Sequence, residues 1–595
     1  MKKTGIVFSL LLLAGILLAA GQALALAPQP PTVALIFDIG GRGDGGFNDA
    51  AQRGLEKAVS ELGVKAVYIE HRRNLELAHA VDEAAASDAR VIIGVGFAFS
   101  EKLRRLAVRY PDKKFIGVDY SAEYDEQGRL MPLPANLAGL SFREEEGSYL
   151  VGAIAALKSK TGRIGFVGGM DSPLIRRFQA GYLAGAQAVR PDVQVLSRYA
   201  GITGRAFNDP AKGYRLGMRL YREGADIIYH ASGVTGNGVF RAAKKMNRLA
   251  IGVDIDQSAQ APGHVLTSMT KHVDVAVFNS VRDCAAGRFT GGLKTFGLKE
   301  NGVGFVYNDE NKKLISDEIY ARVSDLQAKI IAGKLKVTAV ADQPFLLSRQ
   351  NLQNLLADLR SEVESALRKL DGDLQRSARA LAGRDLQGDD ARLALQKLYA
   401  DNPYIIDCET VSDQGIMLAV EPPAHKSSEG ADISRQAHMI KLFKTRRPVL
   451  SGSFRSVEGP QAVVIHHPVF SADGRFAGSI AALFAPEYLF SGIIGPVAAG
   501  LPVGFFLMQT DGLIIYDVAT NQVGHAAAEK QRRPFLELTK AAGKMAAARA
   551  GNESYTYSRR PGEAPVTKVI LWQTVVLHGT AWRLGVDCAT EHLEK

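Results

Sequence analysis

Hydrophobic positions along this chain fall into two regimes that change near residue 340. From residue 33 short, continuous apolar runs alternate with stretches of helical period. VALIFDI, KAVYIE, RVIIGVG, KFIGVD and LAGLSF are the first runs, and helices are expected between most of them, at 47–62, 75–87 and 100–109. EEEGSYLVGAIAALKSK reads as a further helix, after which RIGFVGG, VQVLSRYAG, ADIIYHASG and LAIGVDI restart the alternation. Apolar strands joined by helical crossovers predict parallel sheets with helices on both faces. Two successive sets of such units predict an α/β protein of two lobes.

Beyond residue 340 the pattern changes. LLSRQNLQNLLADLRSEVESALRKLDGDLQRSARAL is one long amphipathic helix, rich in Leu, Arg and Glu. PYIIDCETV, GIMLAV, QAVVIHHPVF and RFAGSIAALF then read as antiparallel strands. Asp473-Gly474 and Asp511-Gly512 sit between apolar runs, which is a hairpin signature. ESYTYSRR, TKVILWQTVVL and TAWRLGVD complete an α+β region of one or two small sheets behind a long leading helix.

Candidate chemistry gathers where the strands of these two lobes end. In open parallel sheets ligands sit beyond the carboxyl ends of the strands, and Asp38, Asp119, Asp171, Asp254 and Asp256 fall there. The first such loop, FDIGGRGDGGFNDAAQRGL, spells G-x-G-x-x-G through Gly41, Gly43 and Gly46, with Glu70 ending the next strand. That spacing is the dinucleotide fingerprint, but its context argues otherwise. Asp38 and Asp44 flank or occupy the loop, where a pyrophosphate needs backbone N–H groups and no carboxylates. The N-terminus argues the same way. Met1-Lys2-Lys3, an apolar stretch from Ile6 to Ala20 and A-x-A sites through Ala25 read as a signal peptide over 1–25, preferred to an uncleaved anchor. No lipidation cysteine is near the cut, so a mature chain in the periplasm or outside the cell is expected, away from free nicotinamide cofactors and without stable membrane insertion.

Composition narrows the choice further. At 595 residues, 46% hydrophobic and 23% charged, the chain is globular and long enough for several cores. The net charge of +10 is spread out, and clusters such as Arg176-Arg177 lack interleaved aromatics, so no nucleic-acid partner is expected. Three cysteines exclude a disulfide scaffold and a Cys-based zinc motif; Cys408 and Cys588 are left either paired or as free buried thiols. No cofactor and no metal site is expected. His466-His467 with Asp473 invites a metal or triad reading, but adjacent strand residues point to opposite faces. Neither G-x-S-x-G nor H-E-x-x-H appears, and no enzyme activity is expected.

The segments FDIGGRGDGGFNDAAQRGL, GFVGGMDSPLIRRFQAGYLAGA, FNDPAKG, ADIIYHASGVTGNGVF, GVDIDQ and TSMTKHVDVAV occur in order at plausible spacings. Over residues 32–340 the chain thereby resembles the basic membrane protein family of extracytoplasmic nucleoside-binding proteins. The resemblance implies the two-lobed periplasmic-binding-protein fold and a purine nucleoside as ligand. It implies that Asp38 and Asp254 hold ribose hydroxyls, with Lys271 a further ribose contact, that Asp119 hydrogen-bonds the base and that Phe47 stacks on it. Carboxylates accept from hydroxyls and base N–H groups, and an aromatic face packs a purine. Asp44 and Asn48 are expected to shape the loop, Asn48 also reaching the ligand. Gly233 and Gly236 would let the backbone approach it. Phe178 and Phe207 are candidates for a second aromatic wall, the alternative for each being core packing. Two departures stand out: Gly45-Gly46-Phe47-Asn48-Asp49 replaces the family's Lys-Ser-Phe-Asn-Gln, making the loop more acidic, and the family's lipidation cysteine is missing.

Residues 346–595 resemble the Cache (PAS-like) domains of bacterial sensors, through GADISRQAHMIKLFKTRRPVLSGSF, AVVIHHPVFSADGRFAGSIAALF and TDGLIIYDVATNQVGH. Arg435, Lys441, His466 and Tyr516 are candidate pocket residues there. The expected function is nucleoside binding for an ABC importer; the alternative is a sensory subunit reporting through the Cache domain to a membrane sensor.

Overall fold

The computed structural model describes residues 30–70, 81–122, 130–338, 346–402, 404–457, 459, 461–498, 501–518, 536–557 and 565–594. The expected signal peptide at 1–25 lies outside these, as does part of the helix expected at 75–87. Among the described residues no helix is long and apolar enough to cross a membrane.

The apolar runs become the strands they predict. They are β1 (Thr32–Ile36), β2 (Lys65–Ile69), β3 (Val91–Val95), β4 (Lys114–Val118), β5 (Leu137–Phe142), β6 (Arg163–Met170), β7 (Gln194–Gly201), β8 (Ile227–Ala231) and β9 (Leu249–Asp254). Strand β10 (Val265–Lys271), not among the runs read from the sequence, and short strands β11 (Gly292–Phe296) and β12 (Val303–Phe305) follow. One sheet has the order β2-β1-β3-β4-β5-β11, parallel throughout. The other repeats that order as β7-β6-β8-β9-β10-β12, with only β12 antiparallel. The lobes are not simply successive, as the sequence pattern suggests. After β10 the chain returns to the first lobe, where helix Val273–Ala285 packs on helix Phe47–Leu62 and β11 adds to the sheet edge, before crossing again to β12. Strand β11 alternates half-buried and exposed positions, so it lacks the continuous apolar run that marks the others.

In the second lobe helix Glu144–Lys158 lies against helix Pro173–Val189 at close range. Gly152, Gly181 and Gly185 make this possible, because a Cβ on any of them would collide with a backbone carbonyl oxygen of the opposing helix.

The long helix is Arg349–Ala380, started by Ser348, whose hydroxyl accepts from the Asn351 N–H at 3.1 Å. Leu352, Leu355, Leu359, Val363, Leu367, Leu370 and Leu374 are its buried stripe. It backs two antiparallel sheets. The strands of the first are β13 (Ile405–Ser412), β14 (Met417–Glu421), β15 (Val449–Leu450), β16 (Phe454–Arg455), β17 (Gln461–Phe470) and β18 (Phe476–Phe484). The second comprises β19 (Val503–Gln509), β20 (Ile514–Asp517), β21 (Gly551–Tyr557), β22 (Val566–Leu577) and β23 (Thr580–Ala589). Both Asp-Gly pairs turn hairpins, β17 to β18 and β19 to β20. Cys408 and Cys588 lie in different sheets and are free.

The helix crossing yields a stability prediction. Gly185→Ala should destabilise the protein by about 1–3 kcal/mol, the usual scale of overpacking. Gly543→Ala, in a helix where the added methyl meets nothing within 4 Å, should be neutral or stabilising. Thermal denaturation of both variants checks this; equal melting temperatures would show that the crossing tolerates a methyl group.

Candidate functional site

Between the lobes lies a cavity, formed where strands of both sheets end. The first lobe contributes Asp38 beyond β1, Phe97 beyond β3 and Asp119 beyond β4, together with Asp44, Phe47 and Asn48 of the glycine-rich loop and the helix it opens. The second contributes Phe178, Phe207, Gly233, Asp254 and Lys271. Nine of the ten residues read from the sequence as ligand-binding therefore line one cavity.

Gly236 does not. It opens helix Gly236–Met246 one turn beyond Gly233, and a Cβ there would collide with the buried imidazole of His230. Its missing side chain serves packing. Gly233, with φ of 54°, does line the cavity. The other strand-end acids also part company. Asp171 pairs with Arg176 at 2.8 Å, and Asp256 accepts from Ser258 and Asn308; neither lines the cavity.

The loop is shaped as its residue types suggest. The Asp44 carboxylate accepts from the N–H groups of Gly46, Asn48 and Asp49, capping the start of helix Phe47–Leu62. Asn48 donates to Asp44 through Nδ2 and accepts the Asp38 N–H at 2.8 Å through Oδ1. Asp49, for all its added charge, points into the loop and accepts from the N–H groups of Gly43 and Gly45. The lobes are drawn together over this loop, with Gln257 Nε2 donating to the Gly45 carbonyl at 2.9 Å.

Two acids hold unusual backbone. Asp119 has φ of 56° and Asp254 φ of 69°, both in the left-handed region that non-glycine residues seldom enter. Each thereby turns its carboxylate into the cavity directly at a strand end.

Charge in the cavity is unbalanced. The buried Lys271 ammonium lies 2.6 Å from the Asp119 carboxylate and 3.0 Å from Glu144, and the rings of Phe47, Phe142 and Phe178 surround it at 5.0–5.5 Å. Burial works against that charge, but Asp119, Glu144 and Asp254 outweigh it and hold the ammonium above its ordinary pKa. Arg177 closes the network on Glu144 at 3.1 Å. Burial pushes the Asp38 carboxyl up to about 7, with Asp119 and Asp44 adding to the rise. Burial also lifts Asp254 to about 7; Lys271 opposes that shift and the other acids reinforce it. Sequence reasoning missed Glu144 and Arg177, because charges at helix starts ordinarily face solvent, and Phe97, because it reads as part of the apolar core. Arg177's place beside Phe178 is the only hint the sequence offers.

Residues 31–340, just over half of the chain, match the family model described as ABC transporter substrate-binding protein PnrA-like. This chain belongs to that family. Basic membrane protein A of Borreliella burgdorferi is 36% identical over 318 residues, covering 53% of this chain and 89% of that protein. The CD4+ T-cell-stimulating antigen of Listeria monocytogenes is 33% identical over 328 residues, covering 51% and 87%. An ABC transporter solute-binding protein of Aeropyrum pernix is 31% identical in structural alignment, at a TM-score of 0.48, with 52% of this chain and 94% of that one covered. Residues 365–486 match a second model, the sensor domain of HK/GC/chemotaxis-like proteins. The PnrA-like region is thus fused to a sensor domain, as the resemblance to Cache domains implies.

The raised carboxyl groups give this PnrA-like protein a testable pH dependence. Asp254 titrates near 7 when folded and near 3.8 when unfolded, so between these values the folded state holds more protons. Stability from this group therefore falls as pH rises through that window, and the cost is complete above it. Asp254→Asn removes the charge and should raise the melting temperature at pH 8. The gain should shrink towards pH 4. An equal gain at both pH values would mean that the buried charge is not its source.

Proposed function

We propose that this protein is an exported solute-binding protein that holds a purine nucleoside between its lobes and delivers it to an ABC permease. The observation that supports this most is the pairing of acids with aromatic rings in one cavity. Asp38, Asp119 and Asp254 offer acceptors to ribose hydroxyls and base N–H groups, while Phe47 and Phe178 offer apolar faces to a purine. Among the described residues lining the cavity the one cation, Lys271, is already shared by Asp119 and Glu144, so a phosphate would meet a surplus of carboxylates. That disfavours nucleotides and NAD. A neutral ligand rich in hydroxyl groups relieves the acids without adding charge. No catalytic step is proposed.

Calorimetry on the full chain tests the reading. Adenosine or guanosine should bind reversibly, and NAD should not. Asp254→Ala should weaken binding by about ten- to a hundred-fold, since a hydrogen bond to a charged group is worth roughly 1.5–3 kcal/mol. Unchanged affinity would remove Asp254 from the site, and binding of NAD alone would restore the dinucleotide reading.

A second reading, sensing, is favoured by one specific observation. The sensor half touches both lobes, and on the first lobe it does so at a wall of the cavity. The turn Phe97–Phe99 packs against helix Pro486–Ala498, and Phe97 lines the cavity. On the second lobe Met170, Ile202 and Ala206 join the same apolar cluster as the long helix. Asn351 of that helix donates to Asp171, and Arg176 to the Leu346 carbonyl. A ligand shifts such a contact only as far as it favours one arrangement. Hydrogen exchange on the full chain with and without adenosine should show altered protection across residues 346–380. Changes confined to 33–275 would leave the halves merely tethered.

A further inference from the structure

Three side chains from three separate elements of the sensor half converge on one point, away from the cleft. Asp371 projects from the long helix, His467 from β17 and His578 from the turn between β22 and β23. Nε2 of His467 lies 2.6 Å from Asp371 Oδ1, and Nε2 of His578 lies 2.5 Å from the same oxygen. The two rings stand 5.7 Å apart at 80° to each other. His467 is buried, whereas Asp371 and His578 are 22% and 20% exposed, so solvent reaches the group from one side.

The surroundings dedicate these residues to that point. Strand alternation sends His466 to the opposite face, where its Nδ1 meets Ser479 Oγ at 3.1 Å, and leaves His467 facing the helix. Asp473, near in sequence, is occupied in its own turn by Ser471 and Arg475. His578 takes φ of 49° in a two-residue turn with Gly579, which aims its ring back at the helix. Two imidazole nitrogens are thus directed at one carboxylate oxygen.

Two imidazoles and one carboxylate form a donor set that suits first-row divalent ions, zinc among them. The ligand atoms lie within 4.8 Å of one another. Tetrahedral zinc, with bonds of about 2.0–2.2 Å, needs its ligand atoms about 3.3 Å apart. Asp371 Oδ1 stands 2.6 and 2.5 Å from the two nitrogens, so an ion would have to widen each of these gaps. We propose that Asp371, His467 and His578 bind a divalent transition-metal ion, with water completing its coordination on the exposed side. The bound ion would staple the long helix to both sensor sheets. This reading does not rest on the nucleoside proposal.

The test uses tag-free full chain stripped with chelator and titrated with zinc chloride by calorimetry, with melting temperature followed in parallel. One equivalent should bind, and the melting temperature should rise with zinc concentration, as for any ligand of the folded state. Cobalt(II) should give the visible absorption of a tetrahedral N/O site. His578→Asn suits the left-handed turn and Asp371→Asn keeps the side-chain shape. Each should keep the wild-type circular dichroism and lose at least tenfold in zinc affinity. The proposal fails if the wild type takes up no stoichiometric zinc, or if both folded variants bind it as tightly as the wild type does.

Discussion

The buried ammonium of Lys271 is the interaction on which the closed cleft depends. A charge taken out of water is costly unless partners and hydrogen bonds surround it. Its partners are drawn from different places: Asp119 from the end of β4 in the first lobe, and Glu144 from the first turn of the helix that carries the chain into the second. Parting the lobes would take Asp119 away from it, because Lys271 rides on β10 of the second sheet. The ion pair thus couples lobe position to local charge. It also sets the character of the cavity, since Lys271 is held by Asp119 and Glu144 and its pull on Asp254 does not offset the burial that raises both Asp38 and Asp254. Their raised pKa values are the electrostatic cost of gathering these acids in one buried site.

Backbone conformation serves the same end. Asp119 and Asp254 hold left-handed φ values in opposite lobes, the sort of local strain that persists only where the surroundings determine it. The surroundings here are parallel strands fixed on both sides, β4 between β3 and β5, and β9 between β8 and β10. The loop after β1 uses a different device. It has four glycines with positive φ, Gly40, Gly41, Gly43 and Gly45. Asp44 and Asp49 tie it down through backbone N–H groups, so a glycine-rich segment becomes a defined wall.

Much of this was legible in the sequence, for a physical reason. Strands buried on both faces must be continuously apolar, so β1, β3, β4, β6, β8 and β9 announce themselves, and polar residues at their ends stand out against them. The same reasoning fails at edges and in contacts between distant segments. Strand β11 is half-exposed and so carries no such run, which hides the return of the chain to the first lobe. Gly236 shows a different limit: a glycine after a strand end can admit a ligand or a neighbouring ring, and only the position of His230 decides between them. Asp371 and His578 are 207 residues apart, a separation at which no local pattern could join them.

The two lobes repeat one topology, and the repeat exposes how the sensor half is attached. Asp38 and Asp171 occupy equivalent places, each just beyond the strand that starts its lobe and that lies between the second and third strands of its sheet. In the first lobe this acid faces the cavity and is pushed up in pKa. In the second it binds Arg176 in two contacts, at 2.8 and 3.2 Å, and takes a third hydrogen bond from Asn351 of the long helix. Arg176 reaches on to the Leu346 carbonyl, at the segment that leads into that helix. Parallel sheets concentrate polar groups at their strand ends, and two lobes facing each other create two such sets. One strand-end acid supplies the cavity and its counterpart anchors the helix. The Lys271 pair and the Asp171–Arg176 group thus sit at the strand ends of the same two lobes, one bridging them across the cleft and the other joining the second lobe to the long helix.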